Sequence, residues 1–344
     1  VSLENPDNRS FAESDPNGFL SLYDGKVIFD EVQRVPLLLS YLQTIVDDRR
    51  TMGQFILSGS QNFHLMQSIT QSLAGRVALF KLFPFDFNEL RNVDLLKSNY
   101  SETMLRGFYP AIYDRDIPPK SFYSNYIQTY IQRDVTELIA VKDMNSFQNF
   151  IGLCATRAGQ LLNLNSLAKE CGISQPTAKS WLSALESSYI VFQLNPYYTN
   201  FSKRIIKSPK LYFYDTGLLL HLLKVTSKEQ LLMHAFKGNL FENLVISELV
   251  KEMHHADNIQ DLWFWRDSAG HEIDLLIDVG TSLKIAEIKA GLTIMPDMFK
   301  ELEWFETHSN LPGLSKFLVY GGQQAQSRKQ GQVIPWNGIG ELLR

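Results

Sequence analysis

The stretch VIFDEVQR, residues 27–34, places a short apolar strand directly before two acidic side chains. A second apolar stretch, QFIL at residues 54–57, follows after one segment of helical length. Short apolar strands that alternate with helical segments are typical of a parallel α/β sheet. In such a sheet, the side chains that follow the carboxyl ends of the strands line the ligand-binding edge. The stretch therefore predicts an α/β core with Asp30 and Glu31 at that edge.

The hydrophobic pattern predicts further elements along the chain. We expect strands at residues 27–29, 54–57, 77–82, 189–194, 210–213 and 316–320, with three more strands in the last third. We expect helices at residues 7–20, 37–47, 122–135, 145–155, 238–253 and 296–307. The changes of pattern divide the chain into segments 1–84, 85–156, 157–230 and 231–344.

Composition bounds the class of protein. The 344 residues are 44% hydrophobic, 12% aromatic and 20% charged, which predicts a globular chain and excludes a disordered one. The net charge of −4 excludes a global basic field, so contact with nucleic acid requires a local patch. Cys154 and Cys171 form no CxxC pair, and we expect free thiols in a reducing cytoplasm. No apolar run approaches the ~20 residues of a membrane helix, so we expect no membrane partner.

The acidic pair after the first strand follows the pattern of a Walker B motif. Asp30 would hold the water shell of Mg²⁺, and Glu31 would orient the water that attacks the terminal phosphate of ATP. The alternative is a strand that leaves the core and enters a charged turn, since an apolar run followed by two acids is common.

Polar residues near the next two predicted strands fit the same nucleotide site. Ser58, Ser60 and Gln61 follow the second strand, where ATPases of this kind keep a polar sensor of the terminal phosphate. Arg76, in SLAGRV, precedes the third predicted strand and is a candidate arginine finger or sensor. The alternative for Arg76 is a surface arginine at a helix end after Gly75.

The stretch NSLAKECGISQPTAKSWLSALESS, residues 165–188, has the pattern of two helices around a tight turn. Gly172 permits the turn, and Ser174 can cap the second helix. The helices are expected to bury Leu167, Ala168, Trp181, Leu182 and Leu185, with Ile173 in the core. The second helix and the basic hairpin after it predict DNA contacts of a winged helix. These contacts are assigned to Gln175, Thr177, Lys179, Lys203, Arg204, Lys207 and Lys210. The alternative is a module that docks on another protein, with its hairpin cations merely solvated.

Two strand-like stretches near the end of the chain carry acids and a lysine. In HEIDLLIDV, residues 271–279, alternation predicts one apolar and one acidic face. The apolar face is expected to hold Ile273, Leu275, Ile277 and Val279, and the acidic face Glu272, Asp274 and Asp278. The next stretch, SLKIAEIKAG, places Glu287 and Lys289 on one face, and Glu242 lies upstream on an amphipathic helix.

These residues follow the order of the PD-(D/E)xK nuclease fold. Asp274 and Glu287 would bind Mg²⁺ or Mn²⁺ with help from Glu242, and Lys289 would orient or help deprotonate the attacking water. Charged groups on a largely apolar strand are costly to bury unless they are paired or bound to metal, which favours a site. The alternative is an amphipathic hairpin whose acids and lysine face solvent.

A larger set of motifs in fixed order resembles a known family over essentially the whole chain. The motifs are VSLENPD, VIFDEVQR, QFILSGSQ, SLAGRV, LRGFYP, YIQRDV, GQLLNLNSLAKECGIS, SPKLYFYDTGL, LFENLV, FWRDSAGHEIDLLI and AEIKAG. The chain resembles prokaryotic AAA-type ATPases with a C-terminal nuclease-like domain. The resemblance implies ATP and Mg²⁺ as cofactors of full-length relatives, with Asp30, Ser58, Ser60 and Arg76 at the nucleotide.

The chain departs from this family in one respect. Family members begin with a strand and a GxxxxGK[ST] phosphate-binding loop, upstream of the first residue of this sequence. The dipeptide Gly25-Lys26 lacks the earlier glycine, because Leu20 stands there, and it leads into a strand. We therefore expect a chain that does not hydrolyse ATP unaided. The expected fold is α/β and α+β multidomain: a truncated P-loop ATPase sheet, a helical lid, a winged helix and a restriction-endonuclease-like C-terminal domain.

Three functional hypotheses follow from the sequence. The first is an ATP-binding protein whose winged helix and nuclease-like domain act on DNA under the control of ATP. The second is a stand-alone metal-dependent nuclease, and the third is a non-catalytic regulator that docks on DNA or protein. The partner hypotheses are DNA, a second copy of this chain, and another protein.

Overall fold

A computed structural model describes residues 1–23, 25–49, 51–59, 73–135, 143–197, 207–280, 282–309, 311 and 313–344. These residues form two compact units, residues 1–80 and residues 81–344. Among the helices of the described residues, none is both long enough and apolar enough to span a membrane.

Among its described residues, the first unit packs three α-helices with a pair of parallel strands. Its elements are α1 (Pro6–Ser14), α2 (Pro16–Ser21), β1 (Val27–Phe29), α3 (Leu38–Arg49) and β2 (Phe55–Leu57). Val27 of β1 pairs with Phe55 of β2, and the two strands run parallel. The parallel α/β arrangement that the sequence predicted for this unit is therefore confirmed.

The segment before α1 extends this small sheet. The backbone N–H of Asp30 donates to the carbonyl of Val1 at 2.9 Å, and the N–H of Leu3 donates to the carbonyl of Asp30 at 2.9 Å. Leu3, Phe29 and Leu38 are fully buried in the core of the unit. The acidic end of β1 is therefore held by backbone hydrogen bonds.

Two expectations for the first unit are wrong. The helix expected at residues 7–20 is two helices, because Pro16 has no N–H to continue α1 and instead begins α2. Asp15 caps the new start by accepting from the N–H of Gly18 at 2.9 Å. The run 77–82 is not a strand. In the described part of the chain no strand pairs with this run, so its backbone lacks the ladder hydrogen bonds of a sheet.

The second unit contains eleven helices and nine strands among its described residues. The first helices are α4 (Phe87–Asn92), α5 (Tyr100–Arg106), α6 (Pro110–Asp114), α7 (Pro119–Tyr126), which continues as a π-helix (Ile127–Val135), and α8 (Met144–Thr156). The later helices are α9 (Leu164–Cys171), α10 (Gln175–Ser187), α11 (Thr216–Leu222), α12 (Lys228–Met233), α13 (Lys237–His255), α14 (Lys300–Ser309) and the 3₁₀ segments Pro296–Phe299 and Trp336–Leu343. The strands are β3 (Gln160–Leu161), β4 (Val191–Pro196), β5 (Lys210–Phe213), β6 (Leu262–Arg266), β7 (Glu272–Asp278), β8 (Leu283–Lys289), β9 (Leu314–Tyr320), β10 (Gln326–Arg328) and β11 (Gly331–Pro335).

All nine strands belong to one mixed sheet in the order β10-β11-β9-β8-β7-β6-β4-β5-β3. Strand β7 is antiparallel to both of its neighbours, β6 and β8, whereas β6 pairs with β4 and β8 pairs with β9 in parallel. The hairpin that follows the two predicted helices joins this sheet, because Asn195 and Pro196 of β4 pair with Trp263 and Phe264 of β6. The structure is thus mixed α/β with a large mixed sheet and many helices.

The two predicted helices of residues 165–188 are present as α9 and α10. Gly172 adopts φ +66° at the end of α9, where a left-handed residue stops a helix. Ser174 caps α10 by accepting from the N–H of Thr177. Trp181 and Leu185 are buried, and the indole ring packs edge-on against Phe150. The predicted turn, cap and buried face are confirmed.

A buried carboxylate joins two of the sequence motifs quoted above. Asp215, in SPKLYFYDTGL, is 1% exposed and accepts from the N–H of Leu218 at 2.7 Å, which caps α11. Its other oxygen accepts from the N–H of Phe108 at 2.7 Å, in LRGFYP. Gly107 adopts φ +74°, and a Cβ there would collide with the Tyr123 hydroxyl. Asp215 therefore links these two motifs inside the second unit, so both have a structural role there.

Asp215→Ala is expected to destabilise the second unit by about 2–4 kcal/mol, because two buried N–H groups lose their acceptor. Urea denaturation of the two proteins measures this difference. Asp143→Ala is the matched control, since Asp143 caps α8 at an exposed position and its loss should cost less. Equal losses in the two variants would contradict the structural role of Asp215.

Candidate functional site

An irregularity in β7 decides how its side chains point. Trp263 pairs with Leu276 and Trp265 with Ile273, so the two residues Asp274 and Leu275 stand opposite one residue of β6. Such a β-bulge interrupts the alternation of a strand and redirects its side chains. The bulge places Asp274 on the sheet within reach of side chains from other elements.

The prediction that Ile273, Leu275 and Ile277 share one face is therefore wrong. Ile273 packs in the cluster that contains Leu302 of α14. Leu275 and Ile277 pack in the cluster that contains α13. The added residue of the bulge shifts the alternation by one position, so the apolar side chains of β7 are divided between the two faces.

The Asp, Glu and Lys predicted for the C-terminal constellation meet on β7 and β8. One oxygen of Asp274, Oδ2, accepts from the N–H of Ile288 at 2.8 Å and lies 3.3 Å from Nζ of Lys289. Lys289 also pairs with the carboxylate of Glu287. The second oxygen of Glu287, Oε1, is buried and has no hydrogen-bond partner in the described part of the chain.

Glu242 reaches the same place from α13, and two residues of β5 meet it there. Its Oε1 accepts from Nζ of Lys210 at 2.7 Å and from the hydroxyl of Tyr212 at 2.6 Å. Lys210 was expected on an exposed basic hairpin, and this expectation is wrong. The residue is 2% exposed, because β5 lies inside the sheet between β4 and β3.

Glu272 completes the cluster at the start of β7. Its carboxylate pairs with Lys210 and accepts from Nη1 of Arg266 at 2.8 Å. Carboxylate oxygens of Glu242, Glu272 and Asp274 all lie within 4.8 Å of one another. A pocket of about 350 Å³ opens beside this group and is lined by Lys210, Arg266, Glu272 and residues around β3.

The cluster shifts the pKa values of its members in opposite directions. Burial raises the pKa of Glu242 to about 7, although Lys210 acts to lower it. Burial and the neighbouring Asp274 raise the pKa of Glu287 well above its ordinary value. Burial acts to raise the pKa of Asp274, but Lys289 and Lys210 outweigh it and the pKa is lowered.

The two lysines remain charged in this environment. Burial acts to lower the pKa of Lys289, but Asp274 and Glu287 raise it above its ordinary value. Lys210 behaves in the same way, with Glu242 as its strongest carboxylate neighbour. Both side chains are therefore ammonium groups that donate hydrogen bonds.

The carboxylates of the cluster form two groups that offer oxygen ligands to Mg²⁺ or Mn²⁺. Asp274 and Glu287 offer the hard oxygen ligands that these ions prefer, and the unpartnered Oε1 of Glu287 fits a cation. The carboxylates of Glu242, Glu272 and Asp274 offer the same chemistry, but the ammonium group of Lys210 already contacts them. Lys289 likewise contacts Asp274 and Oε2 of Glu287, so the oxygen left for one metal ion at this position is Oε1 of Glu287.

The predicted nucleotide residues of the first unit also converge in part. The hydroxyl of Ser58 donates to Oδ1 of Asp30 at 2.7 Å, so the acid and the sensor serine are adjacent across β1 and β2. Glu31 adopts φ +56° and accepts from the side chain of Gln33 at 2.6 Å. Arg76 pairs with Asp47, with Nε 2.5 Å from Oδ1. Ser60 and Gln61 lie outside the described residues.

The predicted DNA-binding residues are partly accessible. Gln175, Lys179 and Lys207 are exposed, whereas Thr177 is half-buried and its hydroxyl lies 2.7 Å from that of Ser174. The predicted contacts of residues 203 and 204 lie outside the described residues. The exposed positions leave the first turns of α10 free to meet a partner.

Comparison with known proteins finds three family models that match successive regions of the chain. Residues 1–91 match the model of a family described as an AAA domain. Residues 97–229 and 237–339 match two domains of unknown function, DUF8612 and DUF4143. The matches support an AAA-type, ATPase-like family.

Two curated relatives are described as uncharacterized proteins. The chain is 31% identical over 282 residues to Rv2008c of Mycobacterium tuberculosis and to Mb2031c of Mycobacterium bovis. Each alignment covers 81% of this chain and 62% of the relative, so the chain spans under two thirds of their length. The crystal structure of protein VC1899 from Vibrio cholerae aligns at 14% identity over 92% of this chain and 88% of that one. Its TM-score of 0.24 is too low to indicate a shared fold.

Sequence analysis did not find all members of the cluster. Glu272 was placed on the acidic face of its strand without a role, although it stands two residues before Asp274. Lys210 and Tyr212 carry no signal for this site, because they precede β7 by about 60 residues and only the sheet order brings them beside it.

Glu242 gives the stability of the unit a defined pH dependence. Its pKa is about 7 in the folded chain, above the ordinary value of 4.5, so the folded chain holds this proton more tightly. Its contribution to stability is fully present below pH 4.5 and is lost as pH rises through about 7. We expect the unfolding free energy of wild type relative to Glu242→Gln to fall by about 3 kcal/mol over this range.

Urea denaturation between pH 4.5 and 8 in the presence of EDTA checks this expectation. Glu303→Gln, at an exposed position of α14, is the control and should follow the wild-type curve. A constant difference between wild type and Glu242→Gln at every pH would contradict it.

Proposed function

We propose that the second unit cleaves phosphodiester bonds in DNA, at a site built from Asp274, Glu287 and Lys289. The observation that carries the proposal is the contact of one ammonium group with two buried carboxylates on adjacent central strands. Carboxylate oxygens can hold a divalent cation that polarises a phosphate and activates water, and a neighbouring lysine adds a hydrogen-bond donor there. The order Asp, then Glu-x-Lys, supports the same class of reaction.

Each residue has a defined task in this proposal. Asp274 and Glu287 would hold Mg²⁺ or Mn²⁺, which, when bound, polarises the phosphate and activates a water molecule. Lys289 donates hydrogen bonds, because its pKa is raised and it keeps its proton. Of the two roles predicted for Lys289, orienting the attacking water is therefore favoured over helping to deprotonate it.

DNA as the substrate is supported by the elements that precede the site. Exposed polar and basic side chains stand on the first turns of α10, among them Gln175 and Lys179. Lys207 is also exposed and is followed three residues later by Lys210, which enters the acidic cluster. A DNA strand bound at α10 and at Lys207 would be positioned by contacts to its phosphates. Such contacts contribute affinity but do not distinguish one base sequence from another.

We further propose that ATP controls this site through the first unit. The AAA domain match supports an ATPase-like function, and the contact of Ser58 with Asp30 supports a nucleotide edge. The proposal includes Mg²⁺ as the ion at Asp30 and a second copy of the chain as a partner at Arg76. An alternative is a binding scaffold that acts on DNA or protein without cleaving it, which the ion pairs of Lys210 across the acidic cluster favour.

A cleavage assay on linear, single-stranded and branched DNA with Mg²⁺ or Mn²⁺ tests the nuclease. We expect Glu287→Gln, Asp274→Asn and Lys289→Met each to reduce cleavage by roughly 100-fold or more, since each removes a group at the reacting phosphate. Asp278→Asn is the matched control, because Asp278 lies at the exposed end of the same strand. Folded wild-type protein that binds DNA but never cuts it would favour the scaffold instead.

Hydrolysis of ATP tests the role of the first unit. In a protein that carries a phosphate-binding loop upstream of Val1, Glu31→Gln should abolish hydrolysis and leave ATP binding intact, because the attacking water loses its acceptor. Glu13→Gln, exposed on α1, is the control. Undiminished phosphate release by Glu31→Gln, or turnover by residues 1–344 alone, would contradict this assignment.

A further inference from the structure

Lys210 stands at the centre of three carboxylates from two different elements. Its Nζ is 2.7 Å from Glu242 on α13, pairs with Glu272 on β7 and lies 4.0 Å from Oδ1 of Asp274. The ammonium group is 2% exposed. Carboxylate oxygens grouped this closely are a coordination shell for a divalent cation, yet the group that fills it belongs to the chain itself.

The two carboxylate oxygens of Asp274 face two different ammonium groups. Oδ2 faces Lys289 and the backbone of Ile288, on the side of Glu287. Oδ1 faces Lys210, on the side of Glu242 and Glu272. A carboxylate that bridges two cations is the arrangement of centres in which two metal ions act on one phosphate.

The backbone fixes Lys210 in this position. Lys210 pairs with Leu194 of β4 on one side and with Leu161 of β3 on the other. Tyr212, two residues further along β5, donates to the same oxygen of Glu242 that Lys210 contacts. The strand pairs on both edges fix the backbone of Lys210, and its 2% exposed side chain is enclosed with its ammonium group against the carboxylates.

We propose that Lys210 is a built-in cation that replaces the second divalent metal ion of the centre. It neutralises Glu242, Glu272 and Asp274 from inside the fold and leaves one metal position, beside Glu287. The identity of that remaining position rests on the proposed nuclease function, whereas the occupation of the three-carboxylate group by Lys210 does not. The centre is thus a one-metal site completed by a lysine.

Counting bound Mn²⁺ in Lys210→Met tests the proposal. Methionine keeps the unbranched stem of the side chain and removes the ammonium group, so the three carboxylates become free to bind a cation. We expect Lys210→Met to bind about one more Mn²⁺ per chain than wild type, measured by electron paramagnetic resonance of free Mn²⁺ after removal of bound metal with EDTA. Lys228→Met, on the exposed side of α12, is the matched control and should leave the count unchanged.

The count separates this proposal from the nuclease proposal. Wild type with one Mn²⁺ and Lys210→Met with two supports both. Wild type with none and Lys210→Met with one supports the role of Lys210 and contradicts the metal position at Glu287. Equal counts in the two proteins overturn the role of Lys210, whatever the number of Mn²⁺ ions bound elsewhere in the chain.

Thermal unfolding provides a second measurement that does not depend on the count. Without metal, Lys210→Met leaves buried carboxylates uncompensated and should lower the midpoint of unfolding by roughly 10 °C. Mn²⁺ should restore most of this loss in Lys210→Met and shift wild type far less. A variant that stays unfolded, or that Mn²⁺ does not stabilise, would contradict the replacement of an ion by Lys210.

Discussion

The carboxylates that are buried around β5, β7 and β8 are stabilised by lysine side chains that stand directly against them. Glu242, Asp274 and Glu287 are each less than a tenth exposed, and their charges would cost several kcal/mol apiece without compensation. Lys210 and Lys289 supply that compensation from two strands on opposite sides of β7 in the sheet. This balance of charge depends on three features of the fold, namely the position of α13 on the sheet, the bulge in β7 and the inclusion of the β4–β5 hairpin in the sheet.

The sequence predicted those features of the arrangement that depend on residues close together in the chain. Glu287 and Lys289 are two residues apart on one strand, so the alternation of a strand places them on the same side. The turn at Gly172 and the cap at Ser174 depend on residues within one or two helical turns. Likewise, β1 and β2 were found from apolar runs, and Asp30 and Ser58 follow the ends of those two parallel strands.

What the sequence did not predict depends on the order of the strands. Lys210 looked like one of several cations in a basic hairpin, and nothing local distinguishes it from the exposed Lys207. Only the insertion of β5 between β4 and β3 buries it. The bulge at Asp274 was missed for a related reason, because an added residue shifts the apolar alternation without changing the composition of the strand. The apolar run 77–82 was assigned to a strand on composition alone, although strand structure requires a partner.

The acidic cluster also crosses the boundary between two families of domains. Lys210 and Tyr212 fall in the region matched by DUF8612, while the four acids fall in the region matched by DUF4143. Neither region contains a balanced set of charges by itself. Either region without the other would therefore leave charged groups uncompensated in the interior. The charge balance thus makes the stability of each region depend on the presence of the other.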